Sequence, residues 1–306
     1  MKTTLFFSLI IIFCMLFPAY IVAKNEAREP VVAGAFYPAS ASELNKMVDG
    51  FLANAKKEDF QGKLVGLIAP HAGYQYSGQV AAYAFKQLEG MSFDTVVIIG
   101  PSHRAMFEGV SVYPKGAYRT PLGIVDVDAA FAAELQKQNA NIRFYPRAHA
   151  QEHCIEVELP FLQKTLSKFK IAPILMWDFS KKNCAMLNDA LVKVLRGKNA
   201  LLVASSDMSH YPSYGDACKV DETTIEAVKT LNIDTLRKND EKQMGLGIRN
   251  LRCTLCGKGP VLVVMQVAKK LGADSVAVLK YANSGDVPIG DKSQVVGYMA
   301  TVIYRK

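Results

Sequence analysis

Residues 64–88, LVGLIAPHAGYQYSGQVAAYAFKQL, constrain the fold more strongly than composition does. Residues 64–69 form a short apolar run typical of a strand buried on both faces, and Pro70 ends it because proline has no backbone N–H. After the loop, apolar residues recur at helical spacing: Val80, Ala81, Ala84, Phe85 and Leu88. This order of strand, loop and helix places His71 just beyond the carboxyl end of a strand, where open α/β sheets bind ligands.

The same arrangement recurs further along the chain. Residues 95–100 (TVVIIG) predict a second buried strand, which Pro101 closes and His103 follows. Residues 200–205 (ALLVAS) predict a third, and it leads into Ser205, Ser206, Asp207, Met208, Ser209 and His210. We expect His71 and His103 to come from the tips of neighbouring strands and to share one crevice.

The remaining elements support one α/β domain with a central, mostly parallel sheet flanked by helices. A helix capped by Ser40, with Glu43 in a capping box, opens the domain. Further helices are predicted at 129–138, 149–163, 182–195, 216–231, 233–238 and from about Pro260 to 271, and further strands at 142–145, 171–177, 275–283 and 294–304. Two short β-rich pieces within 109–128 predict a hairpin over or beside the site. A length of 306 residues suits one α/β domain of this kind.

The first 23 residues differ from the rest. Lys2 precedes an apolar run over residues 5–22, and Ala23 offers a cleavage site before a charged segment. This pattern predicts a signal peptide, and the run is also long enough for an uncleaved membrane anchor. We therefore expect a domain at residues 24–306 that is exported, to the periplasm or beyond the cell, or anchored by residues 1–23.

Charge and cysteine content narrow the functional classes. The net charge is +8, but Lys and Arg are spread thinly among Asp and Glu, which argues against a nucleic-acid partner. Of the six cysteines, Cys14 lies in the leader, and the rest are irregularly spaced and odd in number: Cys154, Cys184, Cys218, Cys253 and Cys256. This is not the pattern of a disulfide framework.

Several sequence blocks together resemble the Memo family, whose bacterial and archaeal branch is labelled AmmeMemoRadiSam system protein B. The blocks are VAGAFYP, APHAGYQYSG, GPSH, VYPKGAYRTPLG, EHCIEVELPFL, SSDMSHY, CGKGP and YANSGD. That family is similar in fold to the catalytic subunit of class III extradiol dioxygenases, which are non-haem iron enzymes. The resemblance implies metal ligands at His71, His103 and Cys256, with Asp207 and His210 lining the same pocket. It also implies a mostly cytosolic family, in which an export leader is atypical.

The ligand set implied by the resemblance differs from that of the dioxygenases, which use two histidines and a carboxylate. A thiolate at Cys256 favours iron or copper in a different environment, with zinc as another option, and argues against catechol ring cleavage. Alternatively, Cys256 is a small buried apolar residue. Against that, it precedes a helix N-terminus and has Lys258 nearby, and both features stabilise a thiolate. Cys253 and Cys256 also form a CxxC, which suits a redox pair or a disulfide.

Two other histidines are assigned more simply. His153, beside Glu152, either supports a metal ligand or forms an ion pair at a helix start. His149 and Asp126 are assigned structural roles.

Three functions remain open. The first is a metal-dependent oxidoreductase in which His210 is the general acid/base and Asp207 orients it, with an unknown small substrate. The second is a non-catalytic binding or adaptor protein for a small molecule or peptide, with a pocket lined by Tyr74, Tyr76, Tyr118 and Tyr211. The third, and weakest, is a hydrolase using Ser205, Ser206 or Ser209, because the chain lacks the G-x-S-x-G elbow.

Overall fold

The computed structural model describes residues 27–306, so the predicted leader lies outside the described part of the chain. Within these residues no helix is long and apolar enough to cross a membrane.

Strands and helices alternate through most of the described chain. The strands are β1 (Ala27–Arg28), β2 (Lys63–Ala69), β3 (Thr95–Pro101), β4 (Val110–Val112), β5 (Ala117–Thr120), β6 (Gly123–Asp126), β7 (Ile142–Arg143), β8 (Lys170–Met176), β9 (Ala200–Ser205), β10 (Ser275–Asn283) and β11 (Gly297–Arg305). The helices are α1 (Ala41–Asn54), α2 (Tyr74–Lys86), α3 (Ala129–Gln136), α4 (Pro146–Ala150), α5 (Leu159–Thr165), α6 (Lys181–Leu195), α7 (Tyr214–Lys229), α8 (Ile233–Gly245) and α9 (Lys258–Lys270). Short 3-10 turns lie at Glu156–Glu158 and Ser284–Asp286.

One sheet organises the domain. Its strands lie in the order β10-β11-β2-β9-β3-β8-β4-β7. The central strands β2, β9, β3 and β8 are parallel, so their carboxyl ends share one edge. Strand β11 runs antiparallel to β2 and β10, and β4 antiparallel to β8. The predicted single α/β domain with a mostly parallel central sheet is confirmed.

Both faces of the sheet are covered. On β3, Val96 and Ile98 point into one apolar core, while Val97 and Ile99 point into the other, and all four are fully buried. Helices α1, α2 and α5 contribute to the first core, and α3, α6, α7 and α9 to the second. The continuous apolar character of the central strands follows from burial on both faces.

The predicted hairpin within 109–128 is partly wrong. Strand β4 joins the main sheet between β8 and β7, and its residues are buried. The hairpin is formed instead by β5 and β6, which β1 extends into a separate three-stranded sheet. The side chains of β4 are buried, and in the main sheet they remove more apolar surface from water than they would in a surface hairpin. This gain explains why β4 pairs with β8 and not with β5.

The predicted helix over 149–163 is also wrong, because it is broken in the middle. Helix α4 ends at Ala150, and α5 begins only at Leu159. Between them, the backbone N–H groups of His153 and Cys154 donate to Oε1 of Glu152, at 2.9 and 3.1 Å. A side-chain acceptor of this kind offers the backbone an alternative to the helical hydrogen bond.

Candidate metal centre

The strand tips bring the predicted histidines together, although not as expected. Strand β9 lies between β2 and β3, so His71 and His103 do not follow neighbouring strands. Their rings nevertheless meet edge to face, with centroids 5.2 Å apart, beyond the carboxyl ends of the parallel strands. The intervening strand β9 ends at Ser205 and supplies the segment that reaches His210.

His71 is buried and presents Nε2 to Cys256. Its Nδ1 lies 2.8 Å from Oγ of Ser205, whose own hydroxyl donates to the carbonyl of Cys154 at 2.7 Å. Because that proton is already used, we assign Nδ1–H of His71 as the donor to Ser205, which leaves a lone pair on Nε2. This Nε2 lies 3.2 Å from Sγ of Cys256, and burial lowers the pKa of the imidazole well below its usual range.

His103 is oriented by a carboxylate in the same way. Its Nδ1 lies 2.9 Å from Oε1 of Glu152, and its backbone N–H donates to Oε2 at 2.6 Å. Burial acts to raise the pKa of Glu152, but the hydrogen bond from His103 and its charge outweigh burial and lower it to about 2. An ionised Glu152 only accepts, so His103 carries its proton on Nδ1 and presents Nε2 to the crevice. Carboxylates hold many metal-binding histidines in this orientation.

Cys256 faces these imidazoles from the start of α9. It immediately precedes Gly257, the N-cap residue, and its Sγ accepts the backbone N–H of Asp207 at 3.3 Å. Lys258 does not assist the thiol, because its ammonium group pairs with Asp240. Burial, together with the nearby Asp207 and Cys253, therefore raises the pKa of Cys256 well above its usual range.

These three residues can hold one metal ion. A ligand atom from each of His71, His103 and Cys256 lies within 4.8 Å of the other two. Two imidazoles that present Nε2 to the crevice and a half-buried thiol form a donor set suited to a transition metal, and a bound cation would supply the positive charge that a thiolate needs. The residues therefore fit the metal site that the sequence resemblance implies.

Asp207 and His210 form a second group with Cys256. A ligand atom from each of Asp207, His210 and Cys256 also lies within 4.8 Å of the other two. His210 is held by the carbonyl of Met208, 3.0 Å from Nδ1, so Nε2 is unprotonated in the neutral ring. Oδ1 of Asp207 accepts the backbone N–H of His71 at 2.7 Å. The expected hydrogen bond from His210 to Asp207 is absent from the described contacts, and Met208 orients the ring instead.

His153 belongs to this cluster, although its role was left open by the sequence. It stacks on His103 with ring centroids 4.6 Å apart and meets the His71 ring at 5.4 Å. Ligand atoms of His103, Glu152 and His153 form a further group within 4.8 Å. Burial, followed by the charge of His71, lowers the pKa of His153 to about 3, so its ring is neutral. The break in the predicted helix is what turns His153 into the crevice.

A cavity of about 490 Å³ opens onto the cluster. Tyr76 and Tyr211 line it, as expected, but Tyr74 and Tyr118 are buried in the core. The hydroxyl of Tyr74 donates to the carbonyl of Val157 at 2.6 Å. These two tyrosines are therefore structural, and the expectation that they line the pocket is wrong.

The serines after β9 do not form a triad with His210 in the described contacts. The hydroxyl of Ser206 donates to the carbonyl of Asp207, and that of Ser209 is buried without a partner. Ser205 contacts His71 rather than His210. The geometry therefore gives no support to a serine hydrolase.

Of the remaining predicted residues, the side chains of His149 and Asp126 make no contact with the three candidate metal ligands in the described contacts. His149 is buried, with Nε2 2.9 Å from Oγ of Ser111, and its carbonyl accepts from Arg28 at 2.8 Å. Asp126 ends β6 at the surface. Cys253 and Cys256 are both free thiols here, and Sγ of Cys253 lies 3.3 Å from Nδ1 of His210.

Fold and site together define an α/β protein with a candidate metal centre at the carboxyl edge of its parallel strands. The family model described as Memo-like protein matches residues 28–302. The chain belongs to the Memo family. It is 38% identical to the MEMO1 family protein MK0963 of Methanopyrus kandleri over 91% of this chain and 99% of the relative. Its identity to a MEMO1 family protein of Aquifex aeolicus is 39%, over 90% of this chain and 98% of the relative.

One solved structure is also similar. The uncharacterized protein JW3007 from Escherichia coli K12 superposes with a TM-score of 0.49 and 14% sequence identity, covering 79% of this chain and 100% of that chain.

Proposed function

We propose that this protein is a metal-dependent oxidoreductase that holds one iron or copper ion between His71, His103 and Cys256. The observation that supports it is that a ring nitrogen of His71, a ring nitrogen of His103 and the half-buried sulfur of Cys256 lie within 4.8 Å of one another. Three protein ligands leave coordination positions open, as catalytic metal sites do. Such a metal would supply one-electron chemistry and polarise a bound substrate.

The chain's own residues would hold the ligands and move protons. Ser205 and Glu152 keep Nε2 of His71 and His103 directed at the centre by occupying their Nδ1 protons. His210, only partly buried and facing the cavity, presents an unprotonated Nε2 that can accept a proton from substrate. Asp207, within 4.8 Å of His210, would stabilise the imidazolium that results.

The second candidate is a non-catalytic binding protein that uses the same cavity. The cavity itself is the observation in its favour, because about 490 Å³ lined partly by aromatic side chains can hold a small molecule without any reaction. Only the first candidate requires His71, His103 and Cys256 to bind a metal and His210 to transfer a proton.

Elemental analysis after anaerobic purification tests the metal site. We expect about one equivalent of iron or copper in the wild type and its loss in His71→Ala, His103→Ala and Cys256→Ala. The matched control is Cys184→Ala, since this cysteine is buried in the second apolar core, and it should keep the metal. Circular dichroism establishes that each variant is folded.

Two results would overturn the proposal. Metal retained in all three ligand variants would mean that the cluster is structural. Absence of metal in the wild type, even after reconstitution with iron or copper, would favour the binding protein.

A further inference from the structure

A second cavity, of about 690 Å³, has walls separate from those of the metal cluster. Three segments of the chain line it: residues 106–109 in the loop between β3 and β4, residues 139–141 before β7, and residues 177–186, which lead from β8 into α6. None of its described lining residues also lines the cavity at the cluster. Its size is typical of a small-molecule site, for which about 300–1,000 Å³ is usual.

The walls of the second cavity are fixed to one another. The buried Asn183 donates from Nδ2 to the carbonyl of Gly109 at 3.0 Å and to that of Asp178 at 2.7 Å, which joins two of the three segments. The third segment is joined to the first through the backbone, because the N–H of Val110 donates to the carbonyl of Asn141 at 2.9 Å. A site that is formed in advance loses less conformational entropy when a ligand binds.

Trp177 gives the second cavity an open aromatic surface. It is the only tryptophan of the chain, follows β8 directly and is 46% exposed. It belongs to neither of the two apolar cores of the described residues. An indole ring is a large apolar surface, and its exposure at the wall of a cavity indicates a contact surface for a ligand. The C–H face of a sugar ring is flat and apolar, and it packs on an indole in this way.

Polar side chains share the cavity with this ring. Glu108, Asn141 and Lys182 line it, and no described hydrogen bond or ion pair occupies their side chains. Together they offer a carboxylate that accepts, an amide that donates and accepts, and an ammonium group that donates. A hydroxyl group both donates and accepts, so neighbouring hydroxyls of a sugar can pair with all three. An apolar ligand would instead leave these groups desolvated and unpaired.

The charges of the second cavity favour a neutral ligand. The start of α6 lines the cavity, and a helix N-terminus attracts anions. Here, however, the hydroxyl of Ser180 already accepts the backbone N–H of Asn183, and the carboxylate of Asp178 accepts that of Ser180. Asp178 and Glu108 also oppose Lys182 among the described lining residues, so the lining has no excess of positive charge.

We infer that the second cavity binds a neutral saccharide, which stacks on Trp177 and exchanges hydrogen bonds with Glu108, Asn141 and Lys182. This inference does not rest on the proposed metal chemistry, because the two cavities have separate linings. It adds a ligand-binding site to a protein whose candidate reaction takes place elsewhere.

Fluorescence of the single tryptophan tests this binding directly. Cellotriose, maltotriose and triacetylchitotriose are the neutral probes, and trigalacturonate is the anionic comparison. We expect at least one neutral probe to change the emission saturably with a Kd below about 1 mM, and trigalacturonate to bind at least about tenfold more weakly. Emission that no neutral probe changes up to about 10 mM, or tighter binding of trigalacturonate, overturns the inference.

Isothermal titration calorimetry extends the test to variants, since Trp177→Ala removes the fluorophore. Trp177→Ala should lower the affinity for the best neutral probe at least about tenfold, and Asn141→Ala should lower it about three- to tenfold. Leu246→Ala is the control, because that exposed leucine lies outside both cavity linings. Melting temperatures establish that each variant is folded. Unchanged affinity in folded Trp177→Ala would contradict the assignment of the saccharide to this cavity.

The outcome is separable from that of the metal proposal. The titrations are made on metal-free and on metal-loaded protein, and we expect equal affinities. Binding that occurs only with metal would place the saccharide at the cluster and overturn this inference. A protein that takes up no metal but binds the saccharide contradicts the proposed function alone.

Discussion

Glu152 accepts two hydrogen bonds from His103, one from its ring at 2.9 Å and one from its backbone at 2.6 Å. The same carboxylate accepts the backbone N–H groups of His153 and Cys154. One buried side chain thus interrupts a helix, orients one histidine of the candidate centre and places a second beside it. The local fold and the candidate site depend on the same group.

Replacing Glu152 by Gln should weaken metal binding without removing a ligand. Gln keeps the size of the side chain but loses the charge that holds the Nδ1 proton of His103, so we expect metal affinity to fall about 10- to 100-fold. Competition with a metal chelator measures the affinity. Glu134→Gln is the control, because that exposed residue only pairs with Lys198. An unchanged affinity in Glu152→Gln would mean that Glu152 supports the backbone alone.

Gly257 is the N-cap residue of α9 and directly follows Cys256. A Cβ on Gly257 would lie 2.7 Å from the backbone oxygen of Ser205 and 2.8 Å from Cβ of Ser206. Since backbone cannot yield as a flexible side chain can, Gly257→Ala should displace the neighbouring Cys256 and reduce metal occupancy. Gly245→Ala is the matched control, since nothing lies within 4 Å of a Cβ at that helical position. Full metal occupancy in Gly257→Ala would show that the segment adapts.

His210 should matter to turnover far more than the serines before it. With metal occupancy verified as full, we expect His210→Ala to lower a redox activity by about 10²-fold or more, the usual effect of losing a general acid/base. Ser205→Ala and Ser206→Ala should stay within a small factor at saturating metal. Ser209→Ala should also stay within a small factor, because no described contact joins its hydroxyl to His210. A serine variant that is inactive with full metal would reverse this ranking.

The strands and most helices were predictable because their signals are local. Residues 64–69 and 95–100 are apolar without interruption, since both faces of the central strands are buried, and Ser40 does cap α1 by accepting the backbone N–H of Glu43. The position of His71 and His103 at one edge of the sheet was predictable because the carboxyl ends of parallel strands lie at the same edge. The choice of candidate metal ligands needed the family resemblance, because Cys256 is far from both histidines in sequence.

What sequence reasoning missed depends on contacts between distant segments. The order of strands, with β9 between β2 and β3, has no local signal. The buried Glu156 accepts from Arg28 at 2.8 Å and from the hydroxyl of Tyr37 at 2.7 Å, and so fastens the start of the described chain to the core. Such an acid resembles a helix-surface residue in the sequence. Only its partners reveal its role.

The leader prediction concerns residues outside the described part of the chain. If residues 1–23 direct export, fusing residues 1–30 to a reporter that is active only outside the cytoplasm should give signal. The mature protein should then begin near Lys24. An intact N-terminus in the membrane fraction would favour an anchor, and an intact N-terminus in the cytosol would contradict both.

His149 should make the fold sensitive to acid. Burial, followed by the charge of Arg28, lowers the pKa of this histidine from 6.5 to about 3. Between these values the unfolded chain binds a proton that the folded protein does not, so the free energy of unfolding rises with pH and is lost as pH falls from about 6.5 toward 3. The full effect is on the order of 5 kcal/mol at most, at about 1.4 kcal/mol for each pH unit.

Urea unfolding of metal-free protein between pH 4 and pH 6 measures this contribution, with His149→Gln as the comparison. Gln can keep a hydrogen bond to Ser111 but binds no proton, so the slope of unfolding free energy against pH should be smaller by roughly 1.4 kcal/mol per unit. Metal-free protein is used because release of a metal from His71 and His103 would add its own pH dependence to the free energy of unfolding. Parallel curves for the two proteins would show that His149 titrates alike in the folded and unfolded chains.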